Sequence, residues 1–134
     1  MDSISHNWIF HFEFKVTSDT LAPLFSNMIE VSGDEGIMVR INVQIGNTFD
    51  IGTIMFQPTK NVYHKVVYTQ VYSPIHNACL KQVRIDGGKW MRTFERTPQS
   101  YTNVKAYAGS PGAPSQTQNV LIRNFFLLDL DRVD

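Results

Sequence analysis

Three observations predict an all-β chain, an antiparallel two-sheet sandwich. Several stretches alternate large apolar and polar residues with a period of two. The breaks between them fall at Gly, Pro, Asn and Asp, at intervals of roughly 8–15 residues. No segment repeats its apolar residues at helical spacing. A chain of 134 residues is long enough for a core and too short for two ordinary domains, so 1–134 reads as a single domain.

Taken in order, Trp8 to Val16 places Trp8, Phe10, Phe12, Phe14 and Val16 on one face and Ile9, His11, Glu13 and Lys15 on the other. Five bulky residues on one side mark a core strand. Thr17 to Pro23 is a loop, followed by an apolar run from Leu24 to Ser32 and a Gly-flanked turn through Asp34 and Glu35. Ile37 to Ile45 alternates again, with Ile37, Val39 and Ile41 inward and Met38, Arg40, Asn42 and Gln44 outward. Gly46-Asn47 turns the chain into a returning strand from Thr48 to Phe56. Val62 to Tyr72 is apolar on both sides, which predicts cover on both. Asp86-Gly87-Gly88 joins Asn77–Asp86 and Lys89–Arg96 as a hairpin, because positive φ is cheap for glycine. Asn103 to Ala108 and Asn119 to Leu130 are the last strands, separated by a loop holding Gly109, Pro111, Gly112 and Pro114. About nine strands result. The final one is apolar enough to be expected at the centre of a sheet.

Twelve basic and twelve acidic residues leave no net charge and no long-range attraction for nucleic acid. No stretch approaches the roughly 18 apolar residues of a membrane span, so no membrane insertion is expected. Cys79 is the single cysteine, which rules out an internal disulfide and a multi-cysteine zinc site and reads as a small buried apolar residue. There is no Asn-x-Ser/Thr sequon, and the first residues lack the basic start and unbroken apolar run of a signal peptide. These facts fit a cytosolic protein and a mature secreted one equally.

The segments Trp8 to Lys15 (WIFHFEFK), Ile85 to Met91 (IDGGKWM), Val104 to Gly112 (VKAYAGSPG) and Val120 to Leu127 (VLIRNFFL) together resemble the concanavalin A-like, laminin-G-like jelly roll of invertebrate lectin-like and matrix proteins. The resemblance touches both ends and about half of the chain. It implies a jelly-roll sandwich, an extracellular setting, and a non-enzymatic carbohydrate-binding module whose partners are glycans or glycoproteins. A structural or adhesion module of the extracellular matrix that pairs with protein through sheet edges or the aromatic loop end is the first alternative, and a small hydrolase the second; a homo-oligomer is compatible with these readings. Where the family tends to have Asp-Pro-Trp, this chain has Ser110-Pro111-Gly112, which lacks an acid and an aromatic platform.

Binding is therefore expected on a sheet face. His11, Glu13, Arg40, Asn42 and Gln44 offer fixed donors and acceptors of the kind sugar hydroxyls pair with, and His64 lies in a strand as well. The same residues also suit the solvated face that any antiparallel sandwich possesses. Trp90 and Tyr107 border turns and suit stacking on a sugar ring. Asp34 and Glu35, with Asp50, are oxygen donors suited to calcium; otherwise they form a solvated turn, and no other cofactor is expected. No nucleophile elbow, phosphate cradle or paired acids at useful spacing is present.

Overall fold

The computed structural model describes residues 3–17, 26–44, 48–51, 54–95, 99–107, 109–110, 113–114 and 120–131. Its strands are β1 (Ser3–Ile4), β2 (Trp8–Val16), β3 (Ser26–Gly33), β4 (Gly36–Gln44), β5 (Thr48–Ile51), β6 (Ile54–Phe56), β7 (Tyr63–Ser73), β8 (Ala78–Ile85), β9 (Met91–Glu95), β10 (Tyr101–Thr102), β11 (Lys105–Tyr107), β12 (Gly109–Ser110), β13 (Ala113–Pro114) and β14 (Val120–Asp129). Two five-stranded antiparallel sheets carry the fold, in the orders β14-β2-β7-β8-β9 and β11-β3-β4-β5-β6. Short ladders β1-β10 and β12-β13 complete them. The chain is an all-β antiparallel sandwich, with no helix among the described residues.

The core forms where the inward faces meet. Trp8, Phe10, Phe12, Phe14 and Val16 are all buried, as the period-two reading of β2 requires, and lie in one cluster with Val31, Val39, Ile41 and Ile51 of the other sheet. Cys79 is buried and free, and burial pushes its thiol above the ordinary range. Asp86 (φ 54°) and Gly87 (φ 70°) make the β8–β9 turn in the left-handed region that the Asp-Gly pair signals.

Several expectations need correction. In β4 the alternation fails near its start: Ile37 is 45% exposed and Met38 only 4%. The β3–β4 pairing steps from Val31↔Val39 to Ser32↔Ile37, leaving Met38 as an extra bulge residue that turns into the core. Thr48 to Phe56 is not one strand, since β5 and β6 fold back on each other with Ile51 opposite Ile54. The loop after Tyr107 carries the β12–β13 ladder. Strand β7 is covered mainly on one side: His64, Val66 and Gln70 are buried, while the other face has Lys65 and Val71 exposed and Thr69 buried between them. Strand β14 is an edge strand, with β7 at the centre of that sheet. Apolar content records how much surface wants cover and says nothing about how many strands supply it.

Candidate binding cleft

The polar face expected from sequence does not assemble. His11 and Glu13 alternate with the buried side chains of β2, so they face outward from one sheet. Arg40 and Asn42 flank the buried Ile41 and face outward from the other. Because the two sheets meet through their inward faces, these pairs stand on opposite sides of the sandwich. His11, Glu13 and Arg40 are also engaged within their own sheets, whereas the buried Oδ1 of Asn42 has no hydrogen-bond partner among the described residues. The His11 ring stacks on Phe126 at 4.7 Å, and its Nδ1 lies 2.9 Å from the Asn124 carbonyl oxygen. Glu13 accepts from Asn124 Nδ2 (2.8 Å) and Arg123 Nε (3.1 Å), and the Asn124 hydrogen bond foremost holds its carboxyl below the usual range. Arg40 donates to the buried Glu30 from Nε (3.2 Å) and Nη2 (3.0 Å). The side chains of Gln44 and Asp50 lie outside the described residues.

His64 is placed inward, not on a rim. Its strand position pairs with the core residue Phe14, and its ring packs edge-on to Phe56 of the facing sheet at 4.9 Å. The Thr59 N–H lies 3.0 Å from Nε2, which makes that nitrogen the acceptor and Nδ1 the donor to Asp86 Oδ2 at 2.6 Å. Asp86 Oδ1 accepts from the Lys65 N–H at 2.8 Å. Both nitrogens of the imidazole are thus committed to holding the 57–59 loop, β7 and the β8–β9 turn together. A histidine so enclosed has no face for ligand.

The aromatics sort by what already covers them. Trp8 and Tyr68 pack on each other in the core, and Tyr72 meets His6 edge-on. Tyr63 lies under Arg123 and beside Lys15. Trp90 carries the Arg84 guanidinium 5.3 Å from its ring centre, within a shallow concavity also lined by Lys89 and Arg92. Tyr101 is partly buried and directs its hydroxyl at the Ile37 carbonyl oxygen. Among the described tyrosines and tryptophans, Tyr107 alone has no ring, cation or hydroxyl partner.

Tyr107 lines an open polar cleft of about 430 Å³ with Ser32, Gly33, Asp34, Asn103, Val104 and Lys105. That volume suits one or two sugar rings and lies in the usual range for small-ligand sites. Strand β11 pairs with β3 through Lys105↔Ser32 and Tyr107↔Glu30, which fixes the Tyr107 side of the cleft. The β3–β4 turn fixes the other side. Asp34 Oδ2 accepts from Asn103 Nδ2 at 2.7 Å, and the Asp34 N–H donates to the Thr102 carbonyl oxygen at 2.9 Å. Asn103 takes φ 52°, a left-handed conformation that asparagine tolerates well. Glu35 accepts from the Thr102 N–H and hydroxyl, both at 2.7 Å. The result is a carboxylate and an amide joined by a hydrogen bond, beside a half-buried phenol. Sequence reading found Asp34 and Tyr107 separately. It missed Asn103 and Lys105, which only the β10–β11 segment's return to the β3–β4 turn brings in.

Asp34 and Glu35 are therefore clasp residues, and no group of three His, Cys, Asp or Glu side chains converges among the described residues. The Thr102 hydroxyl first, and its N–H second, hold the Glu35 carboxyl below the ordinary value of 4.5. A depressed carboxyl stabilises its clasp fully above the ordinary range and loses that contribution as pH falls through its lowered value. The Thr102 amide resonance is expected to titrate with a midpoint below 4.5, and Glu35→Gln should abolish that titration.

Gly33 tests the closeness of the two halves. A Cβ there would lie 2.7 Å from the Thr102 carbonyl oxygen and 3.0 Å from Tyr101 Cβ, so the backbone itself would have to move. Gly33→Ala is expected to cost about 2 kcal/mol by thermal or urea melting. It should also loosen the clasp, seen as loss of the Thr102 amide titration.

Fold and site together define an antiparallel β-sandwich with a polar, tyrosine-sided cleft at one end of a sheet. No protein-family model and no curated protein sequence matches the chain. Among solved structures it is similar to the catalytic domain of the glycoside hydrolase family 131 protein from Coprinopsis cinerea. The match has a TM-score of 0.42 and 13% identity, and covers 94% of this chain and 57% of that one. The chain thus spans little more than half the length of that domain.

Proposed function

We propose that the chain is a non-enzymatic, lectin-like glycan-binding module that uses the Asp34–Asn103–Tyr107 cleft. The observation that carries this reading is the half-buried Tyr107 ring lining the same cleft as the hydrogen-bonded Asp34–Asn103 pair. A pyranose presents an apolar face and a rim of hydroxyls. The phenol takes the first by stacking, and the neighbouring carboxylate and amide take hydroxyls as acceptor and donor. Lys105 adds a cation at the rim of the cleft. Binding is favoured over hydrolysis because the two carboxylates of the β3–β4 turn, Asp34 and Glu35, are tied to Asn103 and Thr102 and so are not free to protonate a leaving group. The laminin-G-like resemblance of the strand and turn motifs supports the same class, a jelly-roll module and an extracellular setting.

The experiment is a glycan array with free-sugar competition. Saturable binding that free sugar displaces is expected, and silence across a broad array would sink the proposal. The same reading makes calcium dispensable, since the clasp supplies its own partners for Asp34 and Glu35. Chelator should leave both binding and the melting temperature unchanged, and a drop in either would restore the two carboxylates as cation ligands.

A further inference from the structure

We propose that β14 is a self-association edge, which joins two copies of this chain about a two-fold axis through its bulge. The surface is separate from the glycan cleft and does not depend on it. Strand β14 has ten residues, and no strand pairs with its outer side among the described residues. The other described sheet edges are shorter: β9 has five residues, and β6 and β11 have three each. Edge strands are normally blunted by lysine or proline. Val120–Asp129 has neither, its one cation is held by Glu13, and Asp129 accepts from the Ser5 hydroxyl at 2.7 Å. Leu121, Ile122, Phe125, Phe126, Leu128 and Leu130 are each between 38% and 50% exposed. Together they expose roughly 500 Å² of apolar side chain per copy, which an edge-to-edge partner would cover in part.

A bulge on an edge also commonly discourages pairing. This one is spent inside its own sheet: the Asn124 carbonyl oxygen faces His11, its amide donates to Glu13, and Phe125 packs edge-on to Phe10. What the bulge does is make the strand's facing pattern symmetric. Pairing with β2 puts Leu121, Arg123, Phe126 and Leu128 on the outer face, opposite Lys15, Glu13, His11 and Ile9. Val120, Ile122, Leu127 and Asp129 point to the other face. Read from either end toward the 124–125 bulge, the order is inward, outward, inward, outward. An antiparallel copy centred on the bulge therefore sets like faces against like at every pair. In that register Leu121 meets the partner's Leu128, and Ile122 meets the partner's Leu127. Arg123, already held by Glu13 and Tyr63, stands opposite the partner's Phe126. Without the bulge, the same centring would place inward residues against outward ones. Two-fold pairing of this kind closes on itself and consumes both edges.

Light scattering of the full chain across a concentration series should show twice the 15.3 kDa chain mass, and Leu128→Lys should return it to one, with circular dichroism unchanged. The register is tested by oxidation with copper phenanthroline. The double variant Leu121→Cys/Leu128→Cys should cross-link between copies, because directly opposed residues have the Cα spacing a disulfide needs. Either single variant should not, since its like residue lies roughly 20 Å away along the strand. Cys79 is buried and serves as the internal control. A monomer at every concentration overturns the proposal. So does a dimer indifferent to Leu128→Lys, or cross-linking by a single variant. Capture of a different protein's strand without a homodimer would overturn it too.

Discussion

Asp86→Ala is expected to destabilise the fold by about 3 kcal/mol, roughly a 10 °C fall in melting temperature for a domain of this size. Two effects add. The buried His64 loses the acceptor of its Nδ1–H, 2.6 Å away, and the Lys65 N–H loses its own at 2.8 Å. An unpaired buried donor costs more than the hydrogen bond it made. Position 86 also has φ 54°, where alanine is strained by about 1 kcal/mol and aspartate less so. Asp86→Gly relieves the backbone part and keeps the hydrogen-bond loss, so the gap between the two variants measures the backbone share. Asp86→Asn should fall between them and wild type. If Asp86→Ala melts within 1 kcal/mol of wild type, about the size of a single ordinary hydrogen bond, then His64 is not held as described. In that case its candidacy as a ligand residue reopens.

Tyr107→Ala is expected to weaken glycan binding by about 10- to 100-fold, the loss of a buried aromatic anchor. Its melting temperature should fall by less than that of Asp86→Ala, because the half-buried ring makes no aromatic or cation contact and the hydroxyl no hydrogen bond among the described residues. Tyr107→Phe keeps the stacking face and should lose no more than a few-fold, which separates the ring from the hydroxyl. Isothermal titration with a sugar identified on the array gives both numbers. Full binding by Tyr107→Ala, with loss on Trp90→Ala instead, would move the site to the concavity of Arg84, Lys89 and Arg92. There the indole would have to release its guanidinium before a sugar could stack.

The two variants probe different depths of the molecule. Asp86 acts through a buried imidazole that ties three segments together, so its loss should appear in stability. Tyr107 acts at the surface on a frame that holds without it, so its loss should appear in affinity. A result in which the two readouts are exchanged would contradict both assignments.

The sequence by itself determined the fold class and the inward face of β2. Alternation in Trp8 to Val16 is a property of the extended backbone, which turns successive side chains to opposite sides wherever the strand is placed. The Asp86-Gly87 turn was equally local, because positive φ is decided by the residue itself. Tertiary structure decided everything that depends on which strand lies beside which. His11 and Arg40 look alike as outward polar residues, but they belong to different sheets and face apart. Met38 left its predicted side because a bulge against β3 rotated it. Strand β14 is apolar enough for a sheet centre and sits at an edge. Asp34 and Asn103 stand 69 residues apart and become a hydrogen-bonded pair beside the Thr102–Glu35 contacts. Local chemistry sets the direction in which a side chain points. The neighbours it finds there come from pairing between distant segments, and that pairing is settled by the burial of the sandwich as a whole.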